Sequence, residues 1–176
     1  MELTKYVACI CEGTAERTTI SMLLDADKLI FPRNHLLEGE LLRCRSPKDF
    51  ERQYLRKGFT EKVTVLRIHD SRREQFNLSA AYAAKANVIN IITAPEIEML
   101  VILKEGKYDE YKKAYNNTKI KPNEFCKSYF GYGNVKSEAF WQNYFSDSDE
   151  LIAAIMEYKR VSNIPSGEFS LADLLK

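Results

Sequence analysis

The chain has 176 residues, 45% apolar, 29% charged and 11% aromatic, with a formal net charge of +1. That length suits one well-packed core with at most a modest appendage, and excludes two independent enzyme domains. The composition, with only seven Gly and five Pro, excludes a disordered or fibrous chain, and apolar runs such as Val88 to Ala94 and Ile97 to Leu103 are far shorter than the ~20 residues that cross a bilayer.

Lys5 to Cys11 is rich in strand formers and gives way to helical spacing over Thr14 to Asp25, where Ile20, Leu23 and Leu24 recur at three and four residues. With Gly13 as the turn and Thr14 as the expected cap, this is the opening of a β-α unit of a parallel sheet. Leu36 to Cys44 is a weaker strand candidate, interrupted by Gly39 and two acids. Ser46-Pro47-Lys48-Asp49 reads as a helix entrance with Ser46 at the cap, Pro47 at the first position and Gly58 as the stop. Lys62 to Ile68 is a strand, Phe76 to Ala86 an alanine-rich helix small enough to lie against the sheet, and Val88 to Thr93 a further strand. Pro95 suits the first turn of the next helix, which Tyr108 to Tyr115 extends or follows. From Ile120 the pattern is helical, with Lys121-Pro122-Asn123-Glu124 opening one segment and Ser146 to Glu150 capping another that runs through Tyr158. The fold class expected is α/β: a mainly parallel central sheet of about four strands, helices on both faces, an α/β domain over residues 1–115 and a helical C-terminal extension over 116–176.

Period-two alternation turns Cys9 and Cys11 to one face of their strand. Together with Cys44 and Cys126 they are read as buried, unpaired thiols in a reducing compartment, a metal-thiolate site being the weaker alternative. The N-terminus lacks the basic start and apolar core of a secretion signal, so the expected location is cytoplasmic. Charge is uneven. Leu36 to Glu74 holds seven Arg and three Lys against seven acids, Lys104 to Lys136 eight Lys against four acids, and the last forty residues seven acids against three bases. Basic patches attract polyanions, though solvated surface explains most lysines. Phe140, Trp141, Tyr144 and Phe145 are read as core rather than as a platform for bases, because three of them recur at helical spacing.

Each expected strand exit delivers an acid: Glu12 and Glu16, then Asp70, then Glu98 with Glu96 beside it. If the strands are parallel, these side chains lie along one sheet edge, where open α/β sheets bind ligands. Like charges gathered there are stabilised by a cation, and all-oxygen ligation favours Mg²⁺, Mn²⁺ or Ca²⁺. Glu16 and Glu96 also suit the ordinary part of helix-dipole partners. Arg72 and Arg73 are candidates to hold a phosphate or simply exposed arginines; His69 is read as structural or capping, and His35 carries no signal.

Ile10-Cys11-Glu12-Gly13-Thr14-Ala15-Glu16 resembles the opening motif of Toprim domains, the catalytic module of type IA and type II topoisomerases, bacterial primases, OLD-family nucleases and small RNase-like proteins. Thr93-Ala94-Pro95-Glu96-Ile97-Glu98-Met99-Leu100 is similar to the Asn-Pro-x-Phe-Glu segment of RloB-like proteins, Toprim relatives encoded near restriction and phage-defence loci. The resemblance spans roughly residues 5 to 115. It implies that Glu12 is a metal ligand or general acid/base, that Gly13 makes the turn, and that Asp70 matches the first acid of an Asp-x-Asp pair. Arg72 stands where the second acid is expected, and Ile97 replaces the aromatic before Glu98. A single-ion site of Glu12, Asp70 and Glu98, or Glu16, follows, holding Mg²⁺ or Mn²⁺. The function implied is a Mg²⁺-dependent phosphodiesterase acting on DNA or RNA, with phage defence as a candidate setting; the alternative is an inactive Toprim-derived subunit that binds nucleic acid or a partner ATPase. A small-molecule phosphotransferase lacks its glycine loop, since Gly131-Tyr132-Gly133 has no flanking P-loop pattern.

Overall fold

The computed structural model describes residues 1–176. Three parallel strands, β1 (Tyr6–Cys11), β2 (Val63–His69) and β3 (Ala86–Ile92), form one sheet in the order β1-β2-β3. Seven helices accompany them: α1 (Thr14–Asp25), α2 (Pro47–Phe50), α3 (Met99–Lys104), α4 (Tyr108–Thr118), α5 (Pro122–Phe130), α6 (Glu138–Tyr144) and α7 (Ser148–Val161). β2 is buried along its whole length, as a central parallel strand must be.

The alternation of the strands sorts the interior into two layers. Val7, Cys9, Cys11, Leu66, Ile68 and Ile91 face the larger core, which α1 and α3 to α7 cover. Ala8, Ile10, Val63, Val65 and Ala86 face a smaller core closed by Leu42, Phe50, Leu55 and Phe76. All four cysteines are buried free thiols, and Cys9 and Cys11 share a face as their spacing requires.

Four elements depart from the expectation. The segment 36–44 is not a fourth strand: it forms a short 3-10 turn at Leu37–Gly39, with Glu38 at φ +59°, and touches β1 only by isolated parallel bridges at Leu36 and Leu42. Leu42 N–H donates to Cys9 O at 2.8 Å and Cys11 N–H to Leu42 O at 3.2 Å. Phe76 to Ala86 is not a helix either. Phe76 is pinned 5.8 Å from Phe50, Ser79 N–H donates to Glu51 Oε1 at 2.5 Å, and Ala80, Ala81, Ala83 and Ala84 are exposed. With no apolar face to bury, the alanines' propensity loses to these anchors. Thus full helices cover one face, and the other is closed by α2, a π-helical turn over Glu51–Leu55 and irregular chain. Gly13, not Thr14, occupies the cap of α1, and Pro95 precedes α3 rather than entering it, across a cis Ala94–Pro95 bond.

Ser46 does cap α2, accepting from Asp49 N–H, and Pro47 follows it. Asp147 likewise caps α7. The C-terminal third belongs to the same core as the sheet. Ile92 N–H donates to Phe169 O at 2.8 Å, Ile30 N–H to Leu174 O at 2.8 Å, and α7 packs on α3. Trp141 and Phe145 are fully buried and stacked at 5.3 Å, as expected of core residues. The indole of Trp141 donates to Val135 O at 2.8 Å, which fixes the loop carrying Lys136.

Trp141→Ala removes both that bond and the largest fully buried side chain. It should lower the free energy of unfolding by about 3–5 kcal/mol, read from urea denaturation as a shifted midpoint.

Candidate metal and phosphate site

The register of the parallel sheet decides what meets at its C-terminal edge. Cys11 pairs with Ile68, Glu12 N–H donates to Ile68 O at 3.1 Å, and Thr93 N–H donates to His69 O at 2.9 Å. The three strand exits therefore lie side by side. Glu12 leaves β1 in phase with Ala8 and Ile10, and Arg67 and His69 leave β2 in phase with Val63 and Val65, so all three point to the face of the smaller core. Asp70 is one residue out of phase with them.

This alternation produces two adjoining cavities. A cleft of about 290 Å³ is lined by Glu12, Glu16, Asp70, Glu96 and Glu98, with Lys136 and Arg45. A second cavity, of about 400 Å³, is lined by Arg43, Arg45, Arg67, His69 and Glu12. Glu12, Gly13, Thr14 and Arg45 border both. All the acids expected at the strand exits thus line one cleft, drawn together from residues up to 86 positions apart in the chain.

Burial raises the carboxyl of Glu98 to about 7, with Glu96 and Glu16 adding repulsion and Lys136 opposing it. Glu16 is raised in the same way, by burial first and then by Asp70 and Glu12. Lys136 Nζ lies 3.8 Å from Glu96 and 3.9 Å from Glu98. Glu96 also serves the neighbouring helix. Its carboxylate accepts from Asn123 N–H at 2.9 Å and Asn123 Nδ2 at 3.1 Å, holding the first turn of α5 rather than of its own helix. Gly13 leaves room for the Glu16 carboxylate. A β-carbon there would meet Glu16 Oε2, which lies back across the turn into the cleft, so a larger residue would require that carboxylate to swing aside.

One group of three metal-ligating side chains is tight enough to hold an ion: Glu12, His69 and Glu74, whose ligand atoms all lie within 4.8 Å of one another. His69 is 1% exposed, and its Nε2 is 3.1 Å from Asn90 Oδ1 while Nδ1 is buried with no partner. An amide oxygen accepting from Nε2–H fixes the tautomer that leaves Nδ1 with a free lone pair, the arrangement metal-binding histidines use. Burial and Arg67 hold the imidazole below its ordinary pKa, hence neutral. Glu74 reaches the group from the loop after β2, where Ser71 Oγ accepts from its N–H at 3.2 Å. The site therefore joins Glu12 to two residues outside the acidic set, while Asp70, Glu16 and Glu98 line the cleft beside it without forming such a group with it.

Arg72 and Arg73 border neither cavity. Arg72 Nε donates to Glu168 at 2.9 Å and lines a separate hollow by β3, and Arg73 is exposed. The arginines that do reach the site are Arg43, Arg45 and Arg67. The sequence held a signal for Arg67, the one charge inside a mostly apolar strand pattern that Lys62 opens; Arg43, Arg45, Glu74 and Lys136 sit in irregular chain that carries none.

A carboxyl at about 7 in the folded chain, against an ordinary 4.5, retains a proton that the unfolded chain releases. Glu98 therefore makes stability fall as pH rises from about 4.5 to about 7. Thermal melts in a chelator should show that decline in the native protein and a flatter profile in Glu98→Gln.

No protein-family model, curated protein or solved structure matches the chain.

Proposed function

We propose that the protein is a divalent-metal-dependent phosphodiesterase acting on nucleic acid, with a Toprim-like arrangement of its sheet and site. The observation that carries this reading is the convergence of five carboxylates from three parallel strand exits on one cleft, which shares Glu12 and Arg45 with an arginine-lined cavity. Acids to bind a cation and arginines to bind a phosphate are the two halves of a phosphoryl-transfer site.

The residues present fit a divalent ion: two carboxylates and a buried neutral imidazole with an unpartnered nitrogen. Glu12, His69 and Glu74 would hold it, with Asp70 and Glu16 bordering the same stretch. The mixed oxygen and nitrogen donors favour Mn²⁺ over the Mg²⁺ that an all-carboxylate set would select. When bound, such an ion offsets charge on the phosphoryl oxygens and lowers the pKa of a bound water. The protein's own groups supply the proton traffic. A carboxylate of the cleft takes a proton from the attacking water as its oxygen bonds to phosphorus. Glu98, protonated near neutrality, is suited to return one to the oxygen of the departing strand as its bond to phosphorus breaks.

A binding-only reading is favoured by one observation: the position of the second motif acid is Arg72, and it is tied to Glu168. The two readings separate cleanly. With Mn²⁺ or Mg²⁺ present, the purified protein should cleave single- or double-stranded DNA or RNA, and Glu12→Gln should abolish cleavage. Retained binding without cleavage in every condition overturns the enzymatic reading.

Metal binding is measured independently by titration calorimetry. Mn²⁺ should bind the native protein, Glu12→Gln and His69→Ala should lose it, and Asn90→Ala, which frees the imidazole to turn, should weaken it by about 10–100-fold.

A further inference from the structure

We propose that the arginine-lined cavity is a pocket for a phosphomonoester: the terminal phosphate of a nucleic-acid strand or of a nucleotide. The inference builds on the phosphodiesterase reading by naming what the neighbouring cavity holds, and it stands on three features of that cavity.

The first is Arg67. It lies within the buried central strand, 4% exposed, and lines the cavity. Its Nη2 donates to Glu74 Oε1 at 3.0 Å, and its guanidinium lies over the Phe76 ring at 4.9 Å. Nε and Nη1 are buried with no partner at all. A guanidinium has five N–H donors, and burying a charged donor unpaired is costly, so a position of this kind calls for an anion. Glu74 answers only one of its nitrogens.

The second is that Arg43 and Arg45 border the same cavity and make no ion pair, although the chain has many available carboxylates. Their placement is built: Leu42 is tied into the end of β1 by backbone hydrogen bonds to Cys9 and Cys11, and Arg17 donates to Leu41 O, so residues 43–45 are held over the strand exits. The third is the start of α1, a helix of twelve residues whose cap, Gly13, offers no side-chain hydrogen bond. Gly13 and Thr14 line the cavity, so the start of the helix borders the same space, its positive end shared with the Glu16 carboxylate that lies across the turn.

The number of free donors selects the ligand. Arg67 offers two unpartnered nitrogens, and Arg43 and Arg45 add two guanidinium groups without an ion pair, while Glu12 on the lining and Glu74 behind Arg67 offset two of the three positive charges. An internal phosphodiester has two free oxygens to accept such donors and a monoester three, so the forked donors suit a terminal phosphate. The volume, about 400 Å³, is that of a small-ligand site. Its shared border at Glu12 places a bound terminal phosphate next to the acidic cleft, so the bond presented there belongs to a strand end.

The test is a binding measurement in chelator, where no cleavage occurs and failure of the metal chemistry has no effect. Fluorescence anisotropy compares one oligonucleotide carrying a 5′-phosphate, a 3′-phosphate or only hydroxyl ends, and calorimetry follows inorganic phosphate and adenosine monophosphate. Charged hydrogen bonds of the ordinary strength predict a preference of about 10–100-fold for a phosphorylated end over the hydroxyl end. A preference confined to the strands identifies a strand end, and equal binding of the mononucleotide identifies a free nucleotide; both support the pocket. Arg43→Ala, an exposed position that leaves the core intact, should remove most of the preference, and Arg67→Lys, which keeps the charge but loses the fork, should reduce it. If none of these probes binds saturably, or if the preference survives both substitutions, the proposal is overturned.

Discussion

The pairing of β1 with β2 in the register that sets Cys11 against Ile68 is the constraint on which the rest depends. It makes Glu12 and His69 neighbours although they lie 57 positions apart in the chain, and it places Arg67 and Glu12 on the same face. A slip of one residue would send Arg67 and His69 into the larger apolar core. The register is secured because both faces of the strands are buried. Every alternate residue is committed to one of two cores, and neither core would accept the other's side chains.

That same alternation divides the chemistry of the sheet edge. Residues leaving the strands toward the smaller core are Glu12, Arg67 and His69, and Asp70 leaves toward the side where Glu16, Glu96 and Glu98 gather. Glu12 stands on the boundary. The acidic side is moderated by Lys136, which a loop of the C-terminal third presents and the indole of Trp141 fixes in place. The helical extension thus completes the cleft as well as covering the sheet, which is why the residues beyond 115 are no appendage in the physical sense.

How much of this could be read from the chain follows the physics of each element. Strands β1, β2 and β3, helix α1 and the capped starts of α2 and α7 were legible because their signals are local: an apolar run, a helical period, Ser46 before Pro47, Asp147 before a periodic segment. The gathering of Glu12, Glu16, Asp70 and Glu98 was legible from parallel topology alone. Phe76 to Ala86 was not, because its alanines carry helical propensity while its conformation is set by Phe50, Glu51 and Leu55 from other parts of the chain. The ligand partners of Glu12 were hidden for the same reason. Glu74 and His69 become a pair with it only through register and loop path, and the basic cavity draws on Arg43 and Arg45, which lie in and just after a segment that reads as no more than a weak strand candidate.

The connection between β2 and β3 has a consequence of its own. Parallel neighbours are ordinarily linked through a helix, whose internal hydrogen bonds keep the crossover ordered without help. Here residues 70–85 have no such internal lattice and are moored at separate points: Ser71 beneath Glu74, Arg72 on Glu168, Glu74 on Arg67, Phe76 against Phe50 and Arg67, Ser79 on Glu51, and Lys85 on Leu55 O. Segments held by few anchors open at low free-energy cost. Glu74 rides on this segment while Glu12 and His69 sit on the rigid sheet, so whatever draws the three together also acts as a further mooring, and occupancy of the site and tautness of the crossover become a single equilibrium.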